Sequence, residues 1–204
     1  MTPKYKVVFI DWYGTLSVSK FWGHLDIEML NIIENSLFGN LRDFINPWMK
    51  GEYTSEDIVR MFAKETGLSH KRLMKELVYS AQNMKFISGD IKDLVLKLRE
   101  NGTKVVIATD NMDSFVRWTV PALELKNIFD DVLDSYSLKA LKKDFHGTKS
   151  LFFDKFLKEN KIKKGESIII DDAEDKEGRI QKRGIDYKRI VHGEGITNEL
   201  LELI

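Results

Sequence analysis

The sequence predicts an α/β protein: a mostly parallel sheet covered by helices on both faces, with a small all-helical cap inserted after the first strand. Three observations carry this. First, Tyr5 to Ile10, Lys104 to Ala108 and Ser167 to Ile170 are continuous β-branched and aromatic runs without polar alternation, the pattern of strands buried on both faces. Second, segments with helical periodicity lie between these runs, and strands alternating with helices imply parallel pairing. Third, residues 20–87 contain helical patterns and no buried strand. The expected organisation is a Rossmann-like core of residues 1–19 and 88–204, interrupted by a helical cap over 20–87.

The elements follow in order. After the first strand, Thr54 and Ser55 precede Glu56 and Asp57, then Ile58, Met61 and Phe62, and Gly67 punctuates a helix; Ser69 opens another with Leu73, Leu77 and Ala81 on one face. Ile91, Leu94, Val95 and Leu98 fall at i, i+3, i+4, i+7, with Asp90 placed to cap the start and Gly102 to end the helix. Thr148 to Asn160 carries Leu151, Phe152, Phe156 and Leu157 on one side. Tyr187 to Val191 reads as a strand near the sheet edge, and Thr197 to Ile204 as a short closing helix.

Composition narrows the function. The chain has 204 residues, 43% apolar, enough to bury a real core. Thirty-two basic residues balance thirty-two acidic ones, so no global field holds a polyanion or a membrane surface, and a nucleic-acid partner is not expected despite the basic stretch around Lys139, Lys142, Lys143 and Lys149. There is no cysteine, which excludes disulfides, thiolate metal sites and cysteine nucleophiles. With no signal-type stretch and no apolar run near eighteen residues, a soluble, cytoplasmic protein without a membrane partner is expected.

In an open parallel sheet, ligands bind beyond the carboxyl ends of the strands. The three best strands end in Asp11, Thr109 and the pair Asp171-Asp172. Singly, each is a helix cap as readily as a catalyst. At neighbouring strand ends they bring three carboxylates and a hydroxyl together. Gly14 also allows a tight backbone turn beside Asp11. Asn111 and Asp113 follow Thr109 closely enough to line a pocket or cap the next helix, capping being the preferred reading. Trp12, Phe21, Trp22 and His24 wall a pocket or pack a hinge. Arg42, Trp48 and Lys50 meet an anion or form surface ion pairs. His70, His146 and His192 show no spacing that recommends them as metal ligands.

The stretch Asp11-Trp12-Tyr13-Gly14-Thr15-Leu16 resembles the first motif of the haloacid-dehalogenase-like superfamily, usually Asp-x-Asp-Gly-Thr-Leu. Thr109 resembles its second motif, Lys142 stands where the family's lysine is expected, and Ile168 to Asp172 resembles its acidic fourth motif. Residues 20–87 match its first cap insertion. The resemblance covers nearly the whole chain and implies that Asp11 is a covalent nucleophile. It implies a magnesium ion held by Asp11, Asp171, Asp172 and the carbonyl of Tyr13, and a small anionic, phosphorylated substrate contacted by Thr15, Thr109, Asn111 and Lys142. It leaves Lys149 as an alternative to Lys142.

Tyr13 departs from the pattern. The family's second aspartate serves as general acid and base, work that contributes about 100-fold to 10,000-fold. A tyrosine with a pKa of about 10 is protonated at neutral pH and is no base there. Asp-x-Tyr-Gly-Thr-Leu is familiar among 2-haloacid dehalogenases, whose halide needs neither protonation nor metal. Against that, two adjacent carboxylates repel each other and a haloacid anion unless a cation sits between them. Asp171 with Asp175, or Asp172 with Lys176, sets the register of the fourth motif, and the sequence leaves both open. Three readings stand: a magnesium-dependent phosphatase, a metal-independent dehalogenase, and a binding protein with a degenerate site.

Overall fold

The computed structural model describes residues 3–203. In chain order its strands are β1 (Val7–Ile10), β2 (Lys104–Thr109), β3 (Asp131–Asp134), β4 (Phe145–His146), β5 (Lys149–Ser150), β6 (Ser167–Asp171) and β7 (Asp186–Arg189). β4 and β5 form a small antiparallel hairpin. The other five make one parallel sheet of order β3-β2-β1-β6-β7. The order reverses direction at β1, which pairs Ile10 with Ile107 on one side and Ile170 on the other. That reversal opens a crevice at the carboxyl end of β1, where Asp11 follows.

The three predicted central strands are present. They are fully buried except at Lys104, because each face packs against its own helical layer. Val8, Ile10, Val105, Ile107, Ile168 and Ile170 point to a core built with α5 (Ile91–Glu100) and α10 (Thr197–Leu201). Val7, Phe9, Val106, Ala108 and Ile169 point the other way, onto Phe152, Phe153 and Phe156 around α9 (Asp154–Glu159). The period of two divides each run between two cores, so continuous apolarity is what both-face burial demands.

Several expectations shift. The strand expected over Tyr187 to Val191 is β7, at the sheet edge, starting one residue and ending two residues earlier. β3 escaped the sequence reading because this edge strand has only Val132 and Leu133 between two aspartates. The helix expected over Thr148 to Asn160 shrinks to Asp154–Glu159: Lys149 and Ser150 pair in the hairpin, and the Ser150 hydroxyl accepts from the amides of Phe152 and Phe153, diverting the chain into a turn. Asp90 stands at the N-cap position of α5, but its side chain makes no capping bond. Its carboxylate accepts instead from the Ser88 and Thr197 hydroxyls. The closing helix covers Thr197–Leu201, and Ile204 lies outside the described residues.

Between β1 and α5 the chain forms α1 (Ile27–Phe38), α2 (Arg42–Met49), α3 (Ser55–Thr66) and α4 (His70–Gln82), with no sheet strand among the described residues. α3 begins with a capping box, the Thr54 side chain accepting from the Asp57 amide and the Asp57 carboxylate from the Thr54 amide, and ends at Gly67 with φ 73°. Ser69 caps α4. These helices enclose their own core of Trp22, Ile33, Trp48, Ile58, Phe62, Leu73 and Leu77. The chain leaves and returns side by side: the Ile87 amide donates to the Leu16 carbonyl at 2.9 Å and the Lys85 amide to the Ser19 hydroxyl at 3.0 Å.

One buried carboxylate ties this helical layer to the sheet layer. Asp113 precedes a π-helical turn (Phe115–Thr119) that runs into α6 (Val120–Ala122). It is fully buried, and it accepts from the Trp48 indole at 2.8 Å, from the Ser55 amide and hydroxyl at 3.1 and 2.6 Å, and from Arg117 at 2.7 Å. Asp113 therefore does not cap a helix but joins α2 and α3 to the core. The remaining short helices are α7 (Leu125–Ile128) and α8 (Ser135–Leu138). Asp113→Ala strands three buried donors and removes the anion opposite Arg117, and is expected to cost about 2–4 kcal/mol. Urea unfolding measures it; a loss within about 0.5 kcal/mol, the range of ordinary surface changes, would refute the tie.

Candidate active site

Asp11 sits one residue past β1, its amide donating to the Ile170 carbonyl at 3.0 Å, which holds it beside the end of β6. The next residues form a tight loop: the amides of Leu16 and Ser17 both donate to the Trp12 carbonyl, and the Gly14 amide donates to the Ser17 carbonyl. Gly14 has φ 88°, and a Cβ there would lie 2.4 Å from both Asp172 Oδ2 and His192 Nδ1. Glycine is thus required twice, for backbone conformation and for close approach to Asp172.

The strand ends converge. One carboxylate oxygen from each of Asp11, Asp171 and Asp172 lies within 4.8 Å of the others. Lys142, carried by the loop after α8, is buried and donates to Asp11 Oδ1 at 2.8 Å and Asp171 Oδ2 at 2.5 Å. Its own amide is held by Asp110 Oδ1 at 2.8 Å, so the residue following Thr109 fixes the lysine loop. Lys149, by contrast, lies exposed in β5. Thr109 ends β2, buried, in register with Asp134 of β3.

The electrostatics follow from burial. The Asp11 carboxyl is pushed up from 3.8 to about 6, chiefly by burial and further by Asp171, with the Lys142 ammonium opposing. Burial also holds Asp110 above the usual carboxylate range, again against Lys142. Burial alone would lower the Lys142 ammonium, but Asp11, Asp171 and Asp110 together outweigh it and raise it. The lysine is therefore a fixed cation at neutral pH. One cation facing this many carboxylates leaves excess negative charge, and the oxygen-only donor set with its close spacing fits a hard divalent metal ion. Among the described residues no hydrogen bond reaches the Tyr13 carbonyl, which leaves it free to act as a further donor.

Other sequence candidates fall elsewhere. Thr15 is fully buried, and its hydroxyl finds no partner among the described residues. Asn111 accepts from the Met112 amide at 3.0 Å and lines the neighbouring cavity. The Tyr13 ring is partly exposed and packs edge-on against His192, with centroids 5.2 Å apart. Asp175 accepts from the amides of Ile180 and Gln181, turned to a loop of its own. His24 pairs with Glu76 at 2.9 Å, and Lys50 approaches Glu52 at 4.0 Å. Sequence reasoning missed His192, whose Nδ1 lies 2.7 Å from Asp172 Oδ2, and Asp110. His192 follows an edge strand with little apolar signal. Asp110 adjoins Thr109 and was legible only by that adjacency.

A haloacid dehalogenase-like hydrolase family model matches residues 5–176. Solved structures share the fold. An HAD family enzyme from Bacteroides thetaiotaomicron, crystallised as a magnesium complex, superposes with a TM-score of 0.72 at 20% identity, covering 96% of this chain and 98% of that one. A predicted HAD-like family hydrolase from Porphyromonas gingivalis gives 0.69 at 15% identity, with 98% of each chain covered. The L-2-haloacid dehalogenase of Xanthobacter autotrophicus gives 0.64 at 14%, covering 91% of this chain and 77% of that one. No curated protein matches the sequence.

Because the folded pKa of Asp11 lies above the unfolded one, its contribution to stability is fully present below pH 3.8 and is lost as pH rises through about 6. The neutral isostere Asp11→Asn is therefore expected to stabilise the metal-free protein at pH 7.5 by about 1–3 kcal/mol, with the gain vanishing near pH 4. Urea unfolding in chelator at both pH values reads this directly. Lower stability of the variant at pH 7.5 would show that Lys142 outweighs burial.

Proposed function

Since this chain belongs to the haloacid dehalogenase-like hydrolases, we propose that it is a magnesium-dependent phosphatase acting on a small phosphorylated substrate through an aspartyl-phosphate on Asp11. The observation that carries the reading is the convergence of Asp11, Asp171 and Asp172 with only Lys142 to offset them. Asp11, Asp171, Asp172 and the Tyr13 carbonyl would hold the magnesium ion. Bound there, it would share charge with the phosphoryl oxygens and relieve their repulsion of the nucleophile.

The residues of the chain do the rest. With its carboxyl at about 6, Asp11 is mostly ionised at neutral pH and able to attack phosphorus. Lys142 orients that carboxylate and neutralises the phosphoryl group, and Thr109 donates to a phosphoryl oxygen. Tyr13 is no base near neutral pH. The helices of residues 20–87 act as a cap over the reaction, excluding water. A structure of the same fold from Bacteroides thetaiotaomicron was solved with magnesium and inorganic phosphate, which agrees with this reading.

Tyr13 favours a second reading, a metal-independent dehalogenase in which Asp11 attacks carbon. The engagement of Asp175 with the amides of Ile180 and Gln181 weighs against it, since that carboxylate is committed to a loop of its own.

The test is release of inorganic phosphate from acetyl phosphate. It should require magnesium, be abolished in Asp11→Asn and Lys142→Met, and lose its magnesium dependence or its activity in Asp172→Asn. Chloride release from 2-chloropropionate that persists in chelator would replace the phosphatase reading with the dehalogenase one. Neither turnover nor magnesium binding would point to a degenerate binding protein.

A further inference from the structure

A cavity of about 350 Å³ opens between the sheet layer and helices α1 and α2, and Trp12 and Tyr13, which follow Asp11, and Asp110, which follows Thr109, line its inner end. Its size is near the lower end of the about 300–1,000 Å³ typical of small-molecule sites. Trp12 and Met112 wall it from the sheet side, and Trp22, Ile33, Leu37 and Trp48 from the helical side. The polar edges of two of its indoles are used elsewhere: Trp22 donates to the Leu73 carbonyl at 3.0 Å and Trp48 to Asp113. Among the described residues the sole cation in the lining, Lys20, is paired with Glu34 at 3.2 Å, so no unpaired cation is left in the wall to receive a second anionic group. The wall is mostly apolar, and of its three indoles only Trp12 keeps an unpartnered N–H, too little to satisfy a polyol. Burying such groups here would strand their hydrogen bonds.

We infer that the substrate of this site is an aryl phosphate monoester, an uncharged aromatic leaving group filling the cavity while its phosphate meets Asp11, Lys142 and Thr109. The inference rests on the phosphatase reading and deepens it.

Tyr13 and the cavity point the same way. In the first step a carboxylate oxygen of Asp11 forms a bond to phosphorus as the ester P–O bond breaks, and the electron pair departs on the leaving oxygen. With tyrosine in place of the family's second aspartate, that oxygen leaves unprotonated. A phenol-like leaving group, with a pKa of about 10, departs this way far more readily than an aliphatic alcohol, whose pKa is comparable to the about 15.7 of water. The phenolate then takes a proton from solvent. Water next adds to the phosphorus of the aspartyl-phosphate, returning the Asp11 carboxylate and releasing phosphate with the proton of that water. The apolar wall thus selects the chemical class that the acid-poor site can turn over.

Two measurements on the full chain with magnesium test this. The first compares kcat/KM for 1-naphthyl phosphate, phenyl phosphate, glucose 6-phosphate and glycerol phosphate, with acetyl phosphate reporting the phosphatase chemistry itself. The aryl esters are expected to exceed the sugar and glycerol esters by at least about 100-fold, with naphthyl above phenyl. The second titrates uncharged 1-naphthol by calorimetry. Binding is expected to the parent chain and to be at least about tenfold weaker in Leu37→Glu and in Leu30→Asp, half-buried positions of the cavity wall, with urea unfolding verifying that both variants are folded. Turnover of acetyl phosphate with aryl esters no better than glucose 6-phosphate overturns the inference and leaves the phosphatase reading intact. Naphthol binding that is lost in both variants, without any phosphate release, upholds the aromatic cavity and overturns the phosphatase reading. Absence of naphthol binding overturns the assignment of the cavity.

Discussion

The buried Lys142 ammonium between Asp11 and Asp171 is the interaction on which the rest of the site depends. Four carboxylates, Asp11, Asp110, Asp171 and Asp172, gather beyond the carboxyl ends of β1, β2 and β6, and desolvation penalises each charged group that is buried there. One cation makes the cluster tolerable without neutralising it. Burial, helped by the neighbouring Asp171 carboxylate, raises Asp11 and Asp110 against the Lys142 ammonium, and the residual negative charge favours binding of a hard cation. Local stability is given up to hold these carboxylates together, a trade common at functional sites.

The lysine reaches its place because the sheet and its loops are over-determined. Its amide is held by Asp110, the residue after the strand that carries Thr109, so Asp11, the lysine loop and the Thr109 hydroxyl are fixed by adjoining strands. β1 is central, with β2 and β6 in register on either side, and the chain reverses sheet direction there. Gly14 then lets the loop close against Asp172 and His192 without a side chain in the way. Most of the geometry follows from backbone pairing and needs few dedicated side-chain contacts.

The helical layer is coupled to the same centre by different means. Asp113 stands two residues past Asn111 on the segment that leaves the site, and its bonds to Trp48, Ser55 and Arg117 set where α2 and α3 lie. Trp48 in turn forms part of the cavity wall. A single buried carboxylate therefore relates the position of the apolar pocket to the position of the carboxylate cluster around Asp11.

How much of this was legible in the sequence depends on how local the cause is. The central strands were legible because burial on both faces requires unbroken apolar runs, and α3 and α4 because the capping chemistry of Thr54, Gly67 and Ser69 is written within four residues of a helix end; α2 carries no side-chain cap. Asp11, Thr109 and Asp171-Asp172 were legible because ligands gather where strands end. β3 and the shortened α9 were not, since an edge strand needs little apolar surface and a serine hydroxyl can divert a helical pattern into a turn. The choice of Lys142 over Lys149, the place of His192, and the change of Asp113 from helix cap to inter-layer tie were decided only by tertiary structure. Each depends on partners 20 to 131 residues away in the chain, and no local spacing encodes a meeting at that distance.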